Sequence, residues 1–298
     1  MSTESFSARY LDLDTWPAAD MVDAMLEGQF AAVAAVRAQS AALATAAEAA
    51  AGRLGDSGRL VYAGAGTSGR LAVQDGVELG PTFGWARERL VFALAGGMAA
   101  LAASAEDAED DAGAGAAAMR DAGLGAGDVV IALAASGVTP YTVAAITEAR
   151  RLGALTIGMA NNPGTPLLLA AEHAICLETG GEVVAGSTRM KAGTAQKVAL
   201  NVLSTAIMVR LGRVHRGLMV DMRVTNAKLR ARGARMVAEL AGSSPEAAAA
   251  ALDLAGGIKP AVLLALGLSA PEAEALLEAS GGNLRRALES LPRGGATD

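Results

Sequence analysis

Apolar positions along the chain follow two rhythms. Between residues 21 and 52 they recur at helical spacing (Met21, Met25, Phe30, Val33, Val36), and the stretch closes on Gly52, which predicts one helix with a glycine stop. From residue 60 the rhythm changes to short, unbroken apolar runs. Those at 60–63, 90–94, 128–136, 154–160 and 173–178 predict five strands, and helices are expected over 71–79, 98–122 (broken around Gly113 and Gly115), 141–152 and 188–211. The runs do not alternate with polar residues, as for strands buried on both faces. Strands separated by helices make a parallel sheet covered on both sides, so the expected class is α/β with a doubly wound, five-stranded parallel sheet.

Two end segments break this pattern. Residues 1–20 have little periodicity and read as an arm. Beyond Gly242, punctuation at Ser243-Ser244-Pro245, Gly256-Gly257, Ala270-Pro271 and Gly281-Gly282 marks three short helical units, a small module joined through 230–242. The expected division is therefore an N-terminal arm and helix over 1–52, a sheet domain over 53–230, and a helical module over 231–298.

Composition narrows the function. The 298 residues are 52% hydrophobic and 19% charged with net charge −6, which suits a globular fold. No long basic block is present, so nucleic acid is not an expected partner. No apolar stretch reaches bilayer-spanning length without charges or turn residues, and the N-terminus lacks the basic and apolar regions of a signal peptide. A cytoplasmic protein with no membrane partner is expected. The single cysteine, Cys176, lies in the apolar run Ala174-Ile175-Cys176-Leu177 and reads as a strand residue, not a nucleophile. With His173 and His215 the only histidines, no His-rich metal site can be built.

The chemistry begins at Gly64-Ala65-Gly66-Thr67-Ser68-Gly69, a G-x-G-x-x-G turn between a strand and a helix. Such a turn offers backbone N–H groups and the positive end of a helix dipole to an anion. A dinucleotide would also need an acidic residue about twenty positions on, at the end of the second strand. Here that strand ends Ala93-Leu94-Ala95-Gly96-Gly97, without a carboxylate. The turn has hydroxyls instead, and the third strand ends likewise in Ser136, Gly137 and Thr139. Two hydroxyl-bearing turns at the carboxyl ends of neighbouring strands suit one terminal phosphate on a small polar molecule, with a phosphosugar the natural candidate. A third polar cluster runs through 180–197. Ser187 and Thr188 can cap the helix that follows, whereas Arg189 and Lys191 conflict with its dipole, which hints at a bound anion or a carboxylate to be paired.

Acid–base work would fall to carboxylates. Glu78, flanked by Val77 and Leu79 and followed by Gly80-Pro81, could have its pKa raised by an apolar setting. In the acidic run 104–113, Glu106 and Glu109 share a helix face while Asp107 points elsewhere, and spacing does not choose between them.

Taken together, "YAGAGTSGRL", "GPTFG", "AASGVTPY", "NNPGTPL" and "GSTRMKAGTAQKVALNVLST" resemble the N-acetylmuramic acid 6-phosphate etherases, members of the sugar isomerase (SIS) domain superfamily. The resemblance spans nearly the whole chain, from "TES" at 3–5 and "LDLD" at 11–14 to the C-terminal module, which itself resembles a ubiquitin-associated fold. It implies an SIS fold, a homodimer, and cleavage of a D-lactyl ether by elimination and rehydration with no metal or organic cofactor. By position in the motifs it assigns proton donation to Glu78 and the second catalytic role to Glu109. It assigns substrate contacts to Gly66, Thr67, Ser68, Ser136, Gly137 and Thr139, and to Glu182, Ser187, Thr188, Arg189 and Lys191. The chain departs from the family pattern at Val138, where Arg is usual, and around Glu78 at Gly76-Val77 and Leu79-Gly80. An aldose–ketose phosphosugar isomerase and a sugar-phosphate sensor of the glucokinase-regulator type are the alternatives.

Overall fold

The structure is a computed structural model that describes residues 3–103 and 106–291, with Glu106 described by its backbone alone. It divides into two compact units. One comprises the described residues up to Val77 together with Arg87–Ile207, and the other Glu78–Ala86 with the described residues from Met208 onward.

The first unit opens with 3-10 turns at Ala8–Tyr10 and Leu13–Thr15, then α1 (Ala18–Ala38) and α2 (Ser40–Leu54). The single helix expected over 21–52 is therefore two, bent by 57°. At the joint the Gln39 N–H donates to the Val36 carbonyl three residues back, the tight closure that ends a helix. Gly52 lies inside α2. The stop is Gly55, whose φ of +42° favours a residue without a Cβ.

Five strands follow: β1 (Leu60–Gly64), β2 (Leu90–Leu94), β3 (Val129–Leu133), β4 (Leu155–Ala160) and β5 (His173–Cys176). All neighbours pair in parallel, in the order β2-β1-β3-β4-β5. The chain moves from β1 outward to β2 and then returns past β1 to β3. The winding direction reverses between β1 and β3, and open α/β sheets bind ligands at the carboxyl ends of the strands at such a point.

Helices α3 (Gly66–Phe83), α4 (Ala112–Asp121), α5 (Pro140–Arg151), α6 (Pro166–Ala170) and α7 (Lys191–Arg210) complete the layers. On one sheet face Val61, Ala63, Val130 and Ala132 share a buried cluster with Met119 of α4, Ala145 and Ile146 of α5, and Leu167 of α6. On the other, Tyr62 donates a 2.6 Å hydrogen bond to buried Asp75 of α3. Asp75 also accepts from Asn201 (2.6 Å) and Ser204 (3.0 Å) of α7, so one carboxylate ties two helices to the sheet. Burial, reinforced by that carboxylate, pushes the Tyr62 hydroxyl well above its ordinary pKa. Gly76 makes room for this packing, since a Cβ there would lie 2.6 Å from the Phe92 ring.

The helix expected over 98–122 is resolved differently. Met98–Leu101 and Glu106–Glu109 are 3-10 turns, and Gly113 and Gly115 lie within α4 rather than breaking it. A Cβ on Gly115 would sit 2.1 Å from the Tyr141 carbonyl, so the glycine permits close approach of α4 and α5. Cys176 is half-buried in β5, its thiol pushed up to about 11 by burial and by Glu178, which suppresses the thiolate a nucleophile needs.

The second unit contains α8 (Ala227–Ala241), α9 (Pro245–Ala255), α10 (Ile258–Ala265), α11 (Ala270–Ala279) and α12 (Leu284–Ser290). Residues 230–242, expected as a junction, form the body and cap of α8, and four helices rather than three follow among the described residues. The punctuation acts as helix caps. The Ser244 hydroxyl accepts from the Ala247 N–H, Gly256 is left-handed, and Ser269 forms a capping box with Glu272. Their inner faces, including Val237, Leu252, Ile258, Val262 and Leu284, make a separate core. Within it the Lys259 ammonium lies 2.5 Å from the Asp221 carboxylate and donates to the Gly282 carbonyl at 2.6 Å. Among the described residues, no single helix is long and apolar enough to cross a membrane.

Candidate functional site

The turn after β1 takes its shape from its glycines. A Cβ on Gly64 would lie 3.1 Å from both the Gly69 nitrogen and the Leu133 carbonyl, and one on Gly69 would lie 3.0 Å from the Gly64 carbonyl. The first and third glycines of the motif thus let α3 press against β1. Gly66 supplies a φ of +52° where the helix begins. The first turn of α3 is thereby set at the carboxyl end of β1, where its free N–H groups suit an anion.

The two hydroxyls of this turn differ in use. Ser68 is buried and donates to Gln196 Oε1 of α7 at 2.8 Å. Gln196 donates to Asn161 Oδ1 at 3.1 Å, and Asn161 to the Leu177 carbonyl at 3.0 Å and Thr179 Oγ1 at 3.4 Å. Ser68 therefore anchors a buried relay across the ends of β4 and β5, and its proton is already committed. Thr67 is only partly buried. A Cβ on Gly193 would sit 3.6 Å from its Cγ2, so the starts of α3 and α7 meet here.

At the end of β3, Gly137 takes a φ of +74°, and a Cβ there would overlap the Thr165 side chain at 2.2 Å. The Ser136 hydroxyl accepts from the Val138 N–H at 3.3 Å. Its carbonyl accepts from Asn162 Nδ2 at 3.2 Å, and Asn162 also holds buried Thr3 by two bonds, accepting from its N–H (2.9 Å) and donating to its hydroxyl (3.0 Å). The arm that sequence reads as patternless is thus pinned beside this turn. Thr139 occupies the N-cap position of α5 but makes no side-chain cap bond, and Val138 is 56% exposed. Since β1 and β3 are adjacent and in register, the two hydroxyl turns are neighbours, as expected.

In the third cluster the second of the two alternatives, a carboxylate, is the one present. Glu182 is only 2% exposed and accepts from the backbone N–H groups of Lys191 and Ala192, each at 2.9 Å. Its carboxylate occupies the start of α7 and supplies from within the chain the negative charge that the dipole demands. The conflict read from Arg189 and Lys191 is thus met by Glu182, with no need of an external anion. The helix begins at Lys191 rather than Thr188, whose carbonyl accepts from the Gly193 N–H at 2.8 Å. Arg189 is exposed, while Ser187 and Lys191 are half-buried. A small cavity of about 140 Å³ between this segment and α1 is lined by Met25, Gln29, Ser187, Arg189 and Lys191.

The two carboxylates assigned by resemblance are both exposed. Glu78 lies on α3 with Val77 exposed beside it and Leu79 buried, so the apolar enclosure expected around its carboxylate is absent. Glu109 closes the 3-10 turn Glu106–Glu109, which packs against α5. The Glu106 side chain and residues Ser104 and Ala105 lie outside the described residues. Sequence reasoning missed Thr3, Asn161, Asn162 and Gln196, although the two asparagines stand in "NNPGTPL" and Gln196 in "GTAQK".

Residues 42–150 match the family described as Glucokinase regulatory protein N-terminal SIS domain, and residues 110–206 match the SIS domain family. The chain is 50% identical over 288 residues to the N-acetylmuramic acid 6-phosphate etherase of Deinococcus radiodurans, an alignment covering 96% of this chain and 94% of that one. It is 44% identical over 296 residues to the Streptomyces avermitilis etherase (98% and 95% covered). The Cronobacter sakazakii etherase is 46% identical over 281 residues (94% and 95% covered). With identity of this order over nearly the whole length of both chains, the chain belongs to the N-acetylmuramic acid 6-phosphate etherase family.

Proposed function

We propose that this protein cleaves the D-lactyl ether of N-acetylmuramic acid 6-phosphate, releasing N-acetylglucosamine 6-phosphate and D-lactate. The observation that carries the reading is the 50% identity across 96% of the chain to a relative of that name. The fold supports it: hydroxyl-bearing turns stand at the switch point between β1 and β3, where a sugar's terminal phosphate would be held by N–H groups and hydroxyls.

In the proposed reaction the sugar is in its open-chain form, so the C1 aldehyde acidifies the proton on C2. Glu109 takes that proton, and Glu78 donates one to the ether oxygen as the C3–O bond breaks and lactate leaves. Water then adds at C3 of the unsaturated aldehyde while a proton returns to C2, and both carboxyls are restored. Thr67 and Thr139 contact the phosphate, with Gly66 and Gly137 shaping the turns. Ser68 joins them by exchanging its bond to Gln196, whereas the Ser136 hydroxyl accepts from the Val138 N–H and keeps its own proton to donate. Ser187, Thr188, Arg189 and Lys191 border the sugar, and Glu182 holds that segment in place. The protein acts as a homodimer in the cytoplasm.

The match of residues 42–150 to a glucokinase-regulator domain favours a second reading, a sensor that binds phosphosugar without chemistry. A sensor has no use for an acid and a base, and it releases no lactate. Incubation with saturating N-acetylmuramic acid 6-phosphate is expected to yield stoichiometric D-lactate. Binding without release would leave only the sensor, and aldose–ketose interconversion without release would leave the isomerase.

A further inference from the structure

The last turn of α3 is short of its own hydrogen bonds. Pro81 stands inside the helix, where it has no N–H to give to the Val77 carbonyl and its ring crowds that carbonyl. Glu78 follows directly on the residue so deprived. Three contacts from the loop between α7 and α8 hold this turn from outside. The Arg223 N–H donates to the Pro81 carbonyl at 3.2 Å. The Arg213 guanidinium donates to the Phe83 carbonyl at 3.4 Å and lies 5.8 Å from the centre of the buried Trp85 ring. The Asp221 carbonyl presses on Gly84, where φ is +63° and a Cβ would lie 2.6 Å from the oxygen. Asp221 is itself fixed through its side chain. Its carboxylate lies 2.5 Å from the ammonium of Lys259 on α10, a residue only 8% exposed, and 3.9 Å from Arg213 Nε. All of these residues belong to the second unit.

We propose that Lys259 and Asp221 are positioning residues for the reaction, holding the turn of α3 that carries Glu78 in place for proton donation; the proposal rests on the donor role of Glu78 given above. Stability alone is a weak reason for such a pair. Desolvating an ammonium and a carboxylate offsets much of their attraction, so apolar side chains of similar volume are often as stable. What the pair adds is direction. Lys259 also donates to the Gly282 carbonyl at 2.6 Å, so Asp221 has one place to sit, and its carbonyl then fixes where Gly84 and the helix end lie. Apolar packing would tolerate a small slide of that end, and a misplacement of about 1 Å at a reacting group can cost about a hundredfold in rate.

Two steps of the reaction, followed separately, test this. A displaced Glu78 still leaves Glu109 to take the C2 proton, so exchange of that proton with deuterated water should continue while lactate release fails. Lys259→Met/Asp221→Leu removes both buried charges together and is expected to keep the wild-type denaturation midpoint. Its kcat for D-lactate release should fall about tenfold to a hundredfold, with KM and the C2 exchange rate within about twofold of the wild type. Glu78→Gln should show the same split, with release lost altogether. A folded double variant that releases lactate at the wild-type rate overturns the clamp while Glu78 stands as donor. Equal loss of release and exchange also overturns it, since that marks a general loss of structure. If the double variant does not fold, Asp221→Asn, which keeps the shape and removes the charge, decides by the same split. A fall in its release of about threefold or more with exchange intact supports the clamp, and wild-type release overturns it. Wild-type release by Glu78→Gln removes the donor role, and the proposal with it.

Discussion

Glu182 and Glu109 are both glutamates on short connecting segments, and their surroundings set them apart. Glu182 is buried against the two N–H groups that open α7, and its charge is consumed in holding the helix. Glu182→Ala removes both bonds and leaves the N–H groups uncapped in a buried position. A loss of about 1–2 kcal/mol is expected, read as a melting temperature lower by roughly 2–8 °C. Glu109 is exposed and makes no such bond among those described, so its substitution should spare the fold. Glu109→Gln, which cannot take a proton, is expected to abolish solvent exchange of the sugar's C2 proton while the melting curve stays unchanged. Undiminished exchange would remove Glu109 from the base role. Sequence named both residues but not their difference, because burial of a side chain depends on what packs over it and not on its neighbours in the chain.

At the scale of elements, the amino ends of β1 and β3 are locked by one ion pair. Asp128 accepts from the Arg59 guanidinium at 2.7 and 3.2 Å, from the Arg59 N–H at 2.9 Å and from the Gly125 N–H at 2.9 Å. Burial pushes this carboxyl up, but the guanidinium and the two N–H groups outweigh it and hold the pKa below the ordinary value. With the folded-state pKa depressed, the stabilisation is present above about pH 4 and is lost as pH falls through the folded value. Asp128→Asn should therefore cost about 2 kcal/mol near pH 7 and flatten the fall in melting temperature as the pH drops below about 4. The α4–α5 contact makes a steric counterpart. Gly115→Ala drives a methyl into the Tyr141 carbonyl, and a loss of about 1–3 kcal/mol is expected in denaturant titration. The strands were legible because unbroken apolar runs have few other homes. The joint at Gln39 and the true ends of α2 and α4 were not, since Ala-rich sequence favours helix on both sides of a break.

For the whole molecule, the elimination reading makes a prediction that simple hydrolysis does not share. Turnover in ¹⁸O-labelled water is expected to place the label at C3 of the product sugar and none in lactate, read by mass spectrometry. Label in lactate would mean attack at the lactyl carbon, which needs neither an open-chain sugar nor a base at C2. The motifs from residue 3 to the C-terminal helices point to this chemistry, and relatives named for it align over nearly the same length.

By itself, the sequence determined the five strands, their α/β class, the two hydroxyl turns and the family, because local periodicity, glycine spacing and contiguous motifs are properties of the chain as written. Only the tertiary structure decided which polar groups remain available. It spent Ser68 on Gln196, Glu182 on the start of α7 and Asp75 on Tyr62, Asn201 and Ser204. Those outcomes turn on partners as many as 129 positions away. Hydrogen bonding and burial act through space, whereas a sequence pattern records only what stands nearby along the chain.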